Sequence, residues 1–272
     1  MSTPGTESTS GEAPEAELKL ALPGRSLPAG DGVAWIVEGW RLFKMAPLMW
    51  IISLVVACVA FVLLGLLQGL GALVAFFLKV ILMAGFMAGC RELERTGSFD
   101  LEDLLAGFRK NVGSLLIVGA VVLVCLFVII FITVFFMAIS IGMQVLVQDP
   151  KDLYAVLLAS GLSALIGLLL MLALITPLAM AYWFAPALIV LNGLGAFAAL
   201  KASFMACLRN IVPFLIYSVL MTLLAFVAAL PIFLGFLVWI PLAITSTYAA
   251  YRGIFIEKPA AAAPAPVVGT TL

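Results

Sequence analysis

The stretch Tyr182 to Phe214, YWFAPALIVLNGLGAFAALKASFMACLRNIVPF, decides the architecture. Its first part is apolar up to Asn192-Gly193, a turn dipeptide, and Gly195 then lets the backbone change direction. The next residues read as a helix: Phe197, Leu200, Phe204, Leu208 and Ile211 recur at i, i+3, i+7, i+11 and i+14, while Ala202, Ser203, Ala206, Arg209 and Asn210 fall elsewhere around it. Pro213 opens another apolar run at a helix start, where its missing N–H costs little. The segment reads as a chain leaving a membrane, running along its surface and re-entering.

Composition agrees with that reading. Of 272 residues 65% are hydrophobic and 10% charged, and a mean hydropathy of +1.27 leaves too little polar surface for a water-soluble globule. Fourteen Lys and Arg balance fourteen Asp and Glu, which argues against nucleic acid as a partner, since that needs a basic surplus on one face. No histidine occurs, so the commonest general base, metal ligand and proton relay are missing. Cys58, Cys90, Cys125 and Cys207 lack C-x-x-C spacing and read as reduced small hydrophobes.

Residues 1–32, rich in Ser, Thr, Pro, Gly and Glu, read as a disordered cytoplasmic tail without the marks of a signal peptide, and 257–272 as a second. Between them the pattern predicts an all-α polytopic membrane domain, 33–256, with six transmembrane helices in three hairpins, each preceded by a cytoplasmic amphipathic elbow helix. The elbows are 33–46, 100–112 and 196–212. The spans are 47–67, 70–90, 114–139, 160–191, 213–230 and 233–254, each near or above the roughly 20 residues a bilayer requires. Asp100 with Asp103 makes a capping-box variant for the second elbow. Gly142 to Asp152 reads as a loop on the far side ending in the helix start Asp149-Pro150, and kinks are expected near Pro177 and Pro186. With six spans, twelve of the fourteen basic residues fall on one side, which the positive-inside rule makes cytoplasmic, as are both termini.

Aligning Trp40, Phe108 and Phe204 superposes Val33, Leu101 and Phe197, then Ile36, Leu104 and Leu200, and the small residues Gly39, Gly107 and Ser203. These coincidences suggest three repeated units entering from the same side. The elements EGWRLFKMAPLMW, GFMAGCRELE, LLAGFRKN and the opening stretch resemble a family of six-span proteobacterial inner-membrane proteins. More distantly they are similar to YciC-like proteins and to the membrane domain of some glycerophosphodiester phosphodiesterases. The resemblance implies this fold and a bacterial inner membrane, and carries no catalytic residues with it.

Lys79 is the sharpest candidate for a ligand-binding residue. It lies about ten residues, or roughly 15 Å at helical rise, from either end of its span, with no carboxylate inside any span to pair with it. Arg41, Lys44, Arg109, Lys110, Lys201 and Arg209 sit at one depth on the three elbows, where anionic lipid head groups are natural partners. Glu92, Glu94, Asp100, Glu102 and Asp103 read as solvated loop and helix cap rather than a metal site, and the G-x-x-x-G pairs Gly65/Gly69 and Gly85/Gly89 as turn and close-packing positions. No catalytic residue, metal or cofactor is expected. The reading favours a non-enzymatic membrane protein that binds or moves a lipid-like molecule. The alternative is a scaffold recruiting a protein partner or a second copy of itself.

Overall fold

A computed structural model describes residues 20–147 and 153–256. Every named element is a helix: α1 Asp31–Met45, α2 Pro47–Gly65, α3 Gln68–Thr96, α4 Leu101–Leu104, α5 Ala106–Arg109, α6 Val112–Val147, α7 Leu153–Trp183, α8 Ala185–Asn192, α9 Ala196–Arg209, α10 Ile211–Ala229 and α11 Phe236–Phe255. Five of the helical stretches are long and apolar enough to cross a membrane: Pro47–Gly65, Gln68–Thr96, Val112–Gln144, Leu158–Asn192 and Ile211–Ala229. The last helix, α11, is comparably long but carries Thr245, Ser246, Thr247, Tyr248, Tyr251 and Arg252.

Local chemistry sets the breaks. Ala46, held outside the helical region by the following Pro47, ends α1 and lets α2 leave in a new direction. Gly193 adopts φ 71° and stops α8 at the turn expected for Asn192-Gly193. The Asp100–Asp103 capping box forms, with Asp100 N–H donating to Asp103 Oδ2 at 2.9 Å. The helix it starts is two short pieces divided at Leu105, not one elbow over 100–112.

The helix holding Pro177 continues through it, and the break comes at Phe184, before Pro186. Ser203 of α9 explains the position. Its Oγ donates to Met180 O at 2.7 Å and accepts from Phe184 N–H at 2.9 Å, inserting between the two groups that an unbroken helix would pair. The far-side loop expected from Gly142 is helical as far as Val147, with the polar Gln144 accommodated by its hydrogen bonds to α7. The Asp149-Pro150 helix start lies outside the described residues.

The packed core lies at one end of the molecule. It gathers Phe86, Met87, Cys90 and Leu93 of α3, Phe184 to Val190 around α8, and Tyr248 to Phe255 of α11. Away from that core α2 packs on α3, α6 on α7 and α10 on α11, and outer positions such as Leu66, Leu70, Phe131, Leu158, Leu230 and Ile232 are exposed. Apolar surface of that kind is stable only against lipid. At that end Gln144 ties α6 to α7, its Nε2 donating to Ala159 O at 3.1 Å and Ser163 Oγ at 2.7 Å.

Three short helices, α1, α4–α5 and α9, cross the bundle through small residues. A Cβ at Gly39 of α1 would lie 2.7 Å from Ser246 N of α11. One at Gly107 of α5 would meet the carbonyl of Ile81, and one at Gly85 that of Leu104, so α3 and α4–α5 interlock reciprocally. Ser203 of α9 docks on α7. The large apolar residues at the aligned positions Val33, Leu101 and Phe197 instead face outward, 45%, 39% and 72% exposed. Small side chains let backbones approach, and at the next aligned positions Leu104 and Leu200 are buried, 5% and 9% exposed. Of the two G-x-x-x-G pairs, Gly85 and Gly89 are close-packed, against Leu104 and the Phe99 ring, whereas Gly65 and Gly69 border open space.

Residues 20–30, read from sequence as part of a disordered tail, form an ordered strap across the packed end. Leu20 pairs with Ile256, and Arg25 Nη2 donates to Gly253 O and Ile256 O at 2.7 and 2.8 Å. Arg209 Nη1 donates to Gly24 O at 3.0 Å. The fully buried Asn210 accepts from Leu27 N–H and donates to Arg25 O and Ala206 O, each at 2.8 Å. A Pro- and Gly-rich segment without apolar periodicity can still be ordered when its backbone groups are satisfied by neighbours this way.

Candidate functional site

Among the described residues the packed end carries a four-residue ion-pair cluster, built from three helices. One turn of α1 places Glu38 and Arg41 on one face, with Arg41 Nη2 2.7 Å from Glu38 Oε1. The last turn of α11 brings Arg252, whose Nη2 lies 2.8 Å from the same oxygen and whose Nη1 pairs with Glu94 at the end of α3. Tyr248 OH donates to Glu94 Oε2 at 3.0 Å, and Arg41 reaches Glu94 at 3.8 Å. Arg252 also sits where the α11 dipole favours a cation. The Arg41 hydrogen bond, outweighing desolvation and helped by Arg252, holds the Glu38 carboxyl below the usual carboxylate range. With two carboxylates against two guanidiniums, the cluster is a neutral clamp joining α1, α3 and α11.

Next to the clamp lies an open groove of about 1030 Å³ between the strap, α1 and α11. Arg25, Asp31, Glu38 and Arg252 supply its charge, and Val33, Trp35 and Val37 its apolar wall. On the other side of Val33 and Val37 a second groove of about 250 Å³ follows α10 from Leu220 to Val227 and is lined by aliphatic side chains alone. The two grooves share those valines.

The residues singled out from sequence are not gathered at one point. Lys79 is exposed on the outside of α3 and lines neither groove. Arg41 belongs to the clamp. Lys44 and Arg109 are exposed in the last turns of α1 and α5, Lys110 follows α5, and Lys201 is exposed on α9. Arg209, in the last turn of α9, holds the strap. The acidic cluster divides: Asp100 and Asp103 form the cap that the sequence suggested, Glu92 pairs with Arg95 at 3.0 Å, and Glu94, read there as solvated, is a clamp residue. Sequence reading missed Glu94, Tyr248 and Arg252. The available signal was the polar face Tyr248, Tyr251, Arg252, at i, i+3 and i+4 inside an otherwise apolar run.

The chain is similar to a protein of Burkholderia thailandensis named "Probable inner membrane protein", with 29% identity over 262 residues covering 86% of this chain and 94% of that one. No family profile and no solved structure matches it. Five apolar helices and this relative identify a multi-pass inner-membrane protein.

Proposed function

We propose that the chain is a non-enzymatic inner-membrane protein that engages membrane lipid through a collar of three interfacial helices. The carrying observation is that Gly39, Gly107 and Ser203 seat these helices on the bundle while Val33, Leu101 and Phe197, near their starts, are exposed, with exposed cations Lys44, Arg109, Lys110 and Lys201 on or beside them. Large apolar groups insert among acyl chains, and cations at that level attract anionic head groups. In this reading α11 is a sixth span. Its Thr245, Ser246 and Thr247 hydroxyls donate to carbonyls of their own helix, and Tyr217 and Ser246 pair at 2.9 Å with α10, which supports an apolar environment for a helix of modest hydropathy.

Three elbow-and-hairpin units follow, each elbow docking on the second helix of the preceding hairpin: α4–α5 on α3, α9 on α7, and α1 on α11. That cyclic arrangement supports an internal repeat, and with it the fold implied by the resemblance to YciC-like proteins and the phosphodiesterase membrane domain. Both tails then lie on the cytoplasmic side with the basic residues. Lys79 joins the collar, since it is two residues, about 3 Å of helical rise, from the Ile81 crossing of α5. Its ammonium reaches the head-group level, and a buried ligand site around it is not needed.

The test is native mass spectrometry of the detergent-purified chain titrated with phosphatidylglycerol. Replacing Arg109, Lys110 and Lys201 by Gln should weaken retention of the anionic lipid by about a hundredfold, on the order of 1 kcal/mol for each of the three cations. Unchanged retention refutes the collar. A second reading is favoured by the Leu20–Ile256 bridge, which makes both tails leave from one place. There they would recruit a protein partner. That reading requires deletion of 1–19 and 257–272 to abolish function while lipid retention persists.

A further inference from the structure

We infer that the paired grooves over α1 seat one zwitterionic glycerophospholipid, with its amine-bearing head group between Arg25 and Asp31 and one acyl chain along α10. The inference rests on the lipid-binding reading above and names a site and a ligand class within it. Charge accounting selects the head group. Glu38 and Arg252 line the charged groove but are already matched to each other and to Arg41 and Glu94. Two charges are left less than fully used. Arg25 spends Nη2 on two backbone carbonyls and pairs with no carboxylate among the described residues, so its charge is uncompensated. Asp31 is half-buried in the first turn of α1, and its carboxylate has no hydrogen bond or ion pair among the described residues. A guanidinium and a carboxylate left facing one groove suit a phosphate and an ammonium on a single molecule.

The apolar groove selects the rest of the ligand. Leu220 to Val227 spans about 10 Å of α10, overhung by Val33 and Val37, and no polar side chain lines it. A soluble zwitterion would leave it empty, whereas a lipid resting over the two valines fills both grooves with one molecule. Val33 and Val37, 45% and 64% exposed, are the seam between head and chain.

The experiment uses the full chain, delipidated in detergent and titrated with a phosphatidylethanolamine and a phosphatidylglycerol of the same acyl composition, read by native mass spectrometry. With Arg109, Lys110 and Lys201 replaced by Gln, which removes the collar's own preference for anionic lipid, one phosphatidylethanolamine is expected to be retained about fivefold more tightly than phosphatidylglycerol, the difference one charge-assisted contact can make. Asp31→Asn should erase that preference. Leu224→Trp should cut retention about tenfold through steric filling of the chain groove, while Leu168→Trp, on the exposed face of α7, leaves it unchanged. Should Leu224→Trp lower the melting temperature, Val37→Trp tests the same groove from an exposed position. Equal retention of the two lipids, or a preference that survives Asp31→Asn, overturns the head-group assignment. Equal loss in Leu224→Trp and Leu168→Trp means annular lipid only and overturns the site. Either result leaves the collar standing if anionic lipid still depends on Arg109, Lys110 and Lys201, so the two readings fail separately.

Discussion

Gly39→Ala probes the crossing of α1 over α11. The new methyl would lie 2.7 Å from Ser246 N and 2.8 Å from Ser246 Cα and Cβ, so its obstacle is largely helix backbone rather than a flexible side-chain tip. α1 must lift from α11, and its displacement also strains the Glu38–Arg252 pair one residue away. Overpacking of this kind costs about 1–3 kcal/mol, and the helix gains back about 0.5–1 kcal/mol when glycine becomes alanine. The net is about 1–2 kcal/mol of destabilisation. At about 2–4 °C per kcal/mol for a chain of this size, the melting temperature should fall by about 2–8 °C. Differential scanning fluorimetry in detergent measures it. Gly161→Ala is the control, since no atom lies within 4 Å of its added Cβ, and it should melt at or slightly above the parent temperature. A Gly39→Ala protein as stable as the parent would refute the close crossing and the docking scheme built on it.

Asn210→Ala leaves the Leu27 N–H and Arg25 carbonyl without their buried partner, so the strap should loosen by about 2 kcal/mol; trypsin cleavage after Arg25 should rise roughly thirtyfold, and an unchanged rate refutes the strap. Glu38 has a depressed carboxyl pKa, so its contribution is present above the unfolded value of about 4.3 and lost as pH falls through the lower folded value. Thermal stability should therefore drop more steeply below about pH 4 in the parent than in Glu38→Gln, which starts lower at pH 7; parallel curves would remove Glu38 from the clamp. For topology, Lys201→Cys and Ile256→Cys should be shielded from an impermeant maleimide added to intact cells, and Leu234→Cys labelled. Labelling of Ile256→Cys together with Leu234→Cys would show that α11 does not cross.

The helical class and the long apolar stretches follow from composition, proline and glycine positions, and run length, because a bilayer demands an internally bonded backbone over a set distance. The turn at Asn192-Gly193 and the cap at Asp100 are equally local, and both form as their residues indicate. Partnerships across the chain were not legible. Glu38 meets Arg252 over 214 positions, and Asn210 holds a strap 183 positions earlier; no periodicity records which helix ends will be neighbours. Nor does an apolar stripe say which way it faces when the solvent is lipid, since burial and exposure are both favourable there, and only packing assigned the inward side to Gly39, Gly107 and Ser203. The grooves over α1 exist for the same reason: they are spaces between elements, and the tertiary arrangement alone decides how closely two helices and a strap approach.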